Sequence, residues 1–448
     1  MEKILSKIKN NYKALAIIFL IGFILRLFFF NGILIRYGET GFYPKINEDA
    51  GQYLSIAKNI IDYGIFSRDT GTLKTIEIFR TPGYPLFIAT ILIIFKSLSL
   101  VILLQNILWF FAIWYLYKIV MLLFDNKKIA LIASIFLVFD PTIIYWNSQL
   151  TSETLFTFLL LVSVYYLLFF LKNKYNNLLY LAISAFAFGW ANITRPIGQY
   201  LIIIFIFVLI FFGIKKYAGR VILSVLLFCL IAQVVALPLI VRNKVLYNSY
   251  ELSWVSAVGF GKYLSAIDKE TDKDLLKDIK ITDNIYERAQ SIKEETIKAI
   301  KAYPLIFLKI HILAIAPFFI GDGYINSLST IFPDAFANKI NTDWQGSTGE
   351  FLSFLGGRSG LNFIIFWLGK VVWSLIFILS LLGVYLIIKK EKDKWAYVLF
   401  LVLIIYYFFL ASGVGGYSRF RFPVNPLIFI FLAYTLNYAI TCYNTKSR

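Results

Sequence analysis

Residues 197–240 read IGQYLIIIFIFVLIFFGIKKYAGRVILSVLLFCLIAQVVALPLI. Two apolar runs, 197–214 and 220–240, flank a short basic link, Lys215-Lys216 to Arg220. A helix of about 20 apolar residues crosses a hydrocarbon layer of about 30 Å, so each run reads as one membrane span and the link as the turn between them. In lipid a helix satisfies its own backbone polar groups, which makes it the natural form for such runs. Working outward, similar runs occupy 14–35, 100–124, 128–146, 152–171, 177–194, 361–388, 395–412 and 423–440. The expected fold is an all-α, polytopic membrane helix bundle of about ten full spans, organised as a single domain over 1–448.

Composition points the same way. Of 448 residues, 59% are hydrophobic, 18% aromatic and only 16% charged, and the mean hydropathy is +0.73. A soluble core of this length could not hide so much apolar surface. Cys229 and Cys442 lie far apart in apolar segments, which argues against a disulfide framework or a zinc-finger spacing. The lone histidine, His311, excludes a multi-histidine metal site. A net charge of +18 could suggest nucleic acid. Basic residues flanking membrane helices explain it more simply, and no nucleic-acid partner is expected.

Sidedness follows from where the lysines fall. Lys3, Lys7, Lys9 and Lys13 precede the first run, and the links Asp125–Lys128, Lys172–Lys174, Lys215–Arg220 and Lys389–Lys394 are short and basic. The positive-inside bias puts them all in the cytoplasm. The first run is too long for a cleaved signal peptide and lacks an A-x-A-like site. Two apolar stretches, 84–98 and 304–320, are short for a crossing and suit re-entrant or interfacial segments. With both on the outer side the ten spans alternate correctly, and both termini are cytoplasmic. The outer face then receives loops 36–83, 241–303 and 321–360 and the turn 412–423. Asp49–Tyr63, stopped by Gly64, and Ile281–Tyr303 have apolar residues at helical spacing and are expected as surface helices.

Under that topology the outer face gathers Glu48-Asp49, Arg80-Thr81-Pro82, Ser152-Glu153, Arg195-Pro196, Arg242-Asn243, and Arg419 with Arg421. Guanidiniums grip phosphate oxygens in pairs and stay charged when buried, and a carboxylate beside them can take a proton from a nucleophile. Acids and cations converging at one membrane face suit a substrate that is part lipid and part anion.

These residues resemble a known family. Asp49-Ala50-Gly51-Gln52-Tyr53-Leu54-Ser55-Ile56-Ala57-Lys58-Asn59, Gly64 and Arg80-Thr81-Pro82-Gly83-Tyr84-Pro85 look like the first outer loop of GT-C glycosyltransferases. That superfamily includes the protein O-mannosyltransferases, the aminoarabinose transferases and related envelope transferases. Pro141, Ser152-Glu153-Thr154-Leu155-Phe156, Arg195-Pro196, Arg242-Asn243 and Arg419-Phe420-Arg421-Phe422-Pro423 extend the resemblance along the chain. It implies inverting transfer of a sugar from a polyprenyl-phosphate carrier to an acceptor hydroxyl on a glycan, lipid or protein, outside the cytoplasm. By the same resemblance Asp49 is the catalytic base with Glu48 beside it, and Tyr53, Arg80, Tyr84, Glu153, Arg195, Arg242, Arg419 and Arg421 bind substrate. No cofactor is certain and no metal ligand is assigned, although Glu48, Asp49 and Glu153 could assemble a divalent-cation site.

Simpler readings stand beside each role. Asp49 could cap its helix, Glu48 could be solvated, and Glu153 suits an ordinary helix start. The prolines after Arg80 could merely break a loop. Arg195 and Arg242 could snorkel at span ends. Arg26, midway along the first span, must face the bundle interior or a wet cavity. Lys309 and His311 could touch phosphate or simply sit at the interface. A polysaccharide ligase or polymerase would use similar donors. A secondary transporter would instead place its polar residues near the midplane, in matching broken helices.

Overall fold

A computed structural model describes residues 2–44, 48–72, 74–282, 285–332 and 360–446. Among these the chain is helical and forms no strand. Among the described residues seven helices are long and apolar enough to cross a membrane, or up to nine if each of two bent pairs counts as one span. The protein is a multi-pass membrane bundle. Most of the expected loop 321–360 lies outside the described residues.

The spanning helices are α1 (Glu2–Tyr37), α4 (Leu98–Phe124), α7 (Glu153–Lys172), α9 (Ile202–Tyr247), α15 (Gly360–Lys390), α16 (Trp395–Ser412) and α18 (Asn425–Lys446). Helix α8 (Leu178–Thr194), apolar over 17 residues, packs between α7 and α9. At 46 residues α9 would run about 70 Å if straight, twice a bilayer's hydrocarbon. It breaks at Tyr217, where φ is −137° and ψ 35°. Phe205 and Phe228 then stack with centroids 5.6 Å apart. Contact between residues on either side of the break means the chain doubles back there, and the two runs 197–214 and 220–240 form a helical hairpin.

The stretch 128–146, read as one span, is two helices. Lys127–Phe139 (α5) and Pro141–Asn147 (α6) meet at 59°. Proline disfavours helical backbone in the residue before it. Asp140 is accordingly extended and caps α6, accepting from the amide of Thr142 at 2.8 Å. That amide would have bonded Val138 in a continuous helix. The freed Val138 carbonyl instead accepts from Nη1 of Arg26 at 2.9 Å, and Arg26 is buried inside the bundle over Phe110.

Helix α18 is the axle. Residues 421–435 are continuously buried, between α15 on one side and α4, α5 and α16 on the others. The four lysine-rich links gather at one end of this bundle. Lys172 lies over Tyr397, Lys394 over Phe124, and Arg220 donates to Asn176. Helix α7 fixes the scale. It starts at Glu153, ends at Lys172, and its 20 residues span about 30 Å.

At the other end lie the non-spanning helices: α2 (Glu48–Tyr63), α3 (Gly83–Phe95), α10 (Val255–Thr271), α11 (Ile285–Ala302), α12 (Pro304–Leu313), α13 (Ile315–Ile320), α14 (Tyr324–Ile331) and α17 (Ser418–Arg421). With 13 residues, about 20 Å, α3 is short for an upright crossing. The segment 304–320 turns 104° from α11 at Pro304. The two amphipathic helices expected on the membrane surface cover protein as well. Tyr53, Leu54 and Ala57 of α2 are buried as it packs on α3, and α11 turns Ala289, Thr296 and Ala299 inward as it packs on α10.

Candidate active site

Asp49 stands in the first turn of α2, with Gln52 and Tyr53 one turn on, so the three share a face. Arg80 reaches that face from the loop before α3. Glu77 shapes this loop by accepting from the backbone amides of Phe79 at 2.6 Å and Arg80 at 3.0 Å. Gly83 then lets the start of α3 settle on the end of α8. A side-chain carbon there would lie 2.7 Å from the Ile193 carbonyl oxygen, far inside contact distance. Arg80 is thereby brought near Arg195, which follows α8. Its Nη2 donates to Oδ1 of Asp49, its Nε donates to Gln52 at 3.0 Å, and its guanidinium lies over Tyr53.

Glu153 opens α7 and is fully buried. One of its oxygens, Oε1, takes both Arg195 Nη1 at 2.5 Å and Arg419 Nε at 2.6 Å. Arg419, on α17 and over Trp146, also reaches Oδ2 of Asp49 with Nη1 at 2.8 Å. The result is a chain of alternating charge, Arg80–Asp49–Arg419–Glu153–Arg195, drawn from five distant parts of the sequence. Ser152 adds a hydroxyl 3.1 Å from that of Tyr53. Burial pushes the Asp49 carboxyl up, but the guanidiniums of Arg419 and Arg80 outweigh it and hold it below its usual range. Asp49 is therefore ionised, and both its oxygens are occupied.

Asp49, Tyr53, Arg80, Arg195 and Arg419 line part of a cavity of about 840 Å³. Its walls are largely apolar, with Ile197, Tyr200, Val258, Phe307, Tyr407 and Leu410, and Glu251 and Ser253 add polar groups to its lining. The remaining expected residues lie elsewhere. Tyr84 is buried behind Tyr53, its ring edge-on at 5.0 Å and its hydroxyl donating to Gln105 at 2.7 Å. Arg242 donates from Nε and Nη2 to its neighbour Asn243 at 2.9 and 2.7 Å and lies over Phe66. Arg421 is fully buried against Trp373, donating to the carbonyls of Phe318 and Gly321, each at 2.6 Å. It fixes the chain after α13. Glu48 begins α2, and its side chain lies outside the described residues. Lys309 pairs with Glu270 at 2.6 Å, and His311 Nδ1 sits 2.8 Å from the Tyr263 hydroxyl.

Among the described residues no three carboxylate, thiol or imidazole groups cluster as metal ligands. Asp49 and Glu153, two of the acids that could have assembled such a site, share Arg419 instead. Sequence reasoning passed over Gln105, which donates to the carbonyls of Asn147 and Gln149, both at 2.9 Å, and so braces the loop before Glu153. Its signal was available, since Gln105-Asn106 is a polar pair inside an apolar run. Trp146 beneath Arg419 had none.

Residues 80–241 match the family model of dolichyl-phosphate-mannose-protein mannosyltransferases. In fold the chain is similar to the oligosaccharyltransferase of Archaeoglobus fulgidus. The apo crystal structure aligns over 97% of this chain and 52% of that one, with 14% identity and a TM-score of 0.54. The archaeal oligosaccharyltransferase AglB from the same organism, in complex with an inhibitory peptide and a dolichol-phosphate, aligns over 89% and 47%, with 14% identity and a TM-score of 0.51. The A. fulgidus enzyme tethered to an acceptor peptide containing the NVT sequon aligns over 95% and 49%, with 14% identity and a TM-score of 0.52. The chain thus spans about half the length of these structures, and the likeness is one of fold. No curated protein matches it in sequence. The family model covers 162 of the 448 residues, and beyond it the comparisons show a shared membrane fold.

Proposed function

We propose that this protein transfers a sugar from a polyprenyl-phosphate carrier to an acceptor hydroxyl at the extracytoplasmic face, with inversion. The observation that carries this reading is the alternating network lining part of a largely apolar-walled cavity. The prenyl chain suits the walls, and the phosphate and sugar suit the charged part. The name of the matched family and the dolichol-phosphate in the archaeal complex support a lipid-phosphate donor. Sidedness rests on α7, which separates the network from the lysine-rich links by about one hydrocarbon thickness. Basic links favour the cytoplasm, so the network belongs outside.

The reaction needs a base on the acceptor and charge stabilisation on the leaving group. The acceptor oxygen attacks the anomeric carbon from the face opposite the phosphate, and Asp49 takes its proton. The bond from that carbon to the phosphate oxygen breaks, and its electron pair leaves with the phosphate. Arg80 and Arg419 hold Asp49 in the resting protein. An arriving phosphate competes for these same cations and frees the carboxylate for base work. Glu153, sealed from the cavity, positions Arg195 and Arg419 and does not itself touch substrate.

The full chain in lipid nanodiscs, incubated with a panel of polyprenyl-phosphate sugars and acceptors and read by mass, tests the proposal. Transfer is expected from a monophosphate-linked donor. Asp49→Asn should lower kcat by about 10²–10⁴-fold, the usual contribution of a general base, while donor binding survives. Near-normal turnover in this variant would remove Asp49 from the role. Transfer only from a diphosphate-linked glycan would favour a ligase.

A further inference from the structure

Within the proposed reaction, we infer that Lys262 of α10 is a donor-phosphate ligand, a cation held in reserve for the charge that appears as the phosphate departs. The inference rests on the transferase reading for its ligand and on geometry for its residue. Val255, Gly259 and Lys262 follow one another at helical spacing and all line the cavity. Lys262 therefore stands on the same wall as the apolar residues that suit the carrier, with its ammonium against the turn that leads to Arg419. That turn, Gly413-Val414-Gly415-Gly416, is bare where α10 meets it. A methyl on Gly415 would collide with the end of the Lys262 side chain, and one on Gly413 with the Tyr263 ring.

Charge arithmetic separates Lys262 from the arginines. Arg80, Arg195 and Arg419 face two carboxylates, Asp49 and Glu153, so three minus two leaves one net positive charge. That matches the single negative charge of a sugar phosphodiester. Transfer converts the diester to a monoester carrying about −1.5 to −2 near neutral pH. A second cation is then needed, and it must be free of a carboxylate. Lys262 has no carboxylate partner among the described residues, and it shares the cavity with Arg419. A lysine ammonium is a compact point charge with three donors on a flexible stem, suited to following a phosphate as it moves away.

The test measures binding and turnover separately, using the full chain in nanodiscs. Dolichyl monophosphate is the probe, dolichol the neutral control and inorganic phosphate the free-anion control. Lys262→Gln should weaken dolichyl phosphate at least tenfold and leave dolichol unchanged, and Lys262→Arg should restore most of the loss. Gly415→Ala, which keeps the lysine but displaces its ammonium, should weaken the same ligand. In turnover kcat should fall, while donor and acceptor KM change little, because the network already matches the donor's single charge. Lys262-dependent phosphate binding without any sugar transfer would uphold the site and sink the transferase reading. Normal transfer with dolichyl phosphate affinity unchanged in Lys262→Gln would sink the site and spare that reading. Inorganic phosphate bound as tightly as the lipid phosphate would also overturn the assignment.

Discussion

Asp49, the proposed base, is held between two cations, with Arg80 on one oxygen and Arg419 on the other. Its surroundings set an expectation for pH. Burial raises the carboxyl, Arg419 and Arg80 lower it further than burial raises it, and Glu153 opposes them weakly. The base is active when ionised, so in the free protein activity is lost only as pH falls through a value below the ordinary aspartate range. The acid limb of kcat/KM, which reports the free enzyme, should therefore lie below that range. The acid limb of kcat reports the donor complex and should sit higher, because a bound phosphate draws the guanidiniums away. Coincident limbs would show that the donor leaves the Asp49 contacts intact. At this scale the sequence was partly legible. Asp49, Arg80, Glu153, Arg195 and Arg419 were recognisable as candidates, and they meet. Arg421 and Arg242 looked equivalent to Arg419, but an arginine's partner is a tertiary matter. Arg421 turns to backbone carbonyls, and Arg242 to Asn243.

The helices and turns that aim these side chains carry their own constraints. Gly83 is one of them, because α3 and α8 approach there until only hydrogen fits. Gly83→Val should push α3 off the end of α8, costing about 1–3 kcal/mol as overpacking does. Thermal unfolding in detergent should fall accordingly, and donor KM should rise with it as Arg80 shifts. A stable variant with unaltered KM would mean that Arg80 is placed without that contact. Among elements, the long apolar runs were readable because hydrocarbon demands uninterrupted length, and the hairpin in α9 because a basic link interrupts it. The break between α5 and α6 was missed, although Asp140-Pro141 marks it, because apolar length outweighed the proline in reading 128–146. The amphipathic faces of α2 and α11 were readable, but their partners were not, since an apolar stripe fits protein as well as membrane.

The molecule as a whole separates two kinds of charge by the length of α7. Lysine-rich links cluster at one end and the mixed network at the other, so sidedness can be checked without any substrate. In a chain with Cys229 and Cys442 replaced by serine, Thr70→Cys and Lys216→Cys should react with an impermeant maleimide from opposite faces of sealed vesicles. Labelling from the same face would separate the network from the outer surface and remove the reading built on it. Arg419 closes that network from just before α18, whereas both acids it joins lie within residues 49–153. During synthesis the early helices must enter lipid with Asp49 and Glu153 still lacking this shared counter-ion. The network is completed by a segment made 266 residues after Glu153, so a chain stalled before residue 418 is anchored but lacks the cation that joins its two acids.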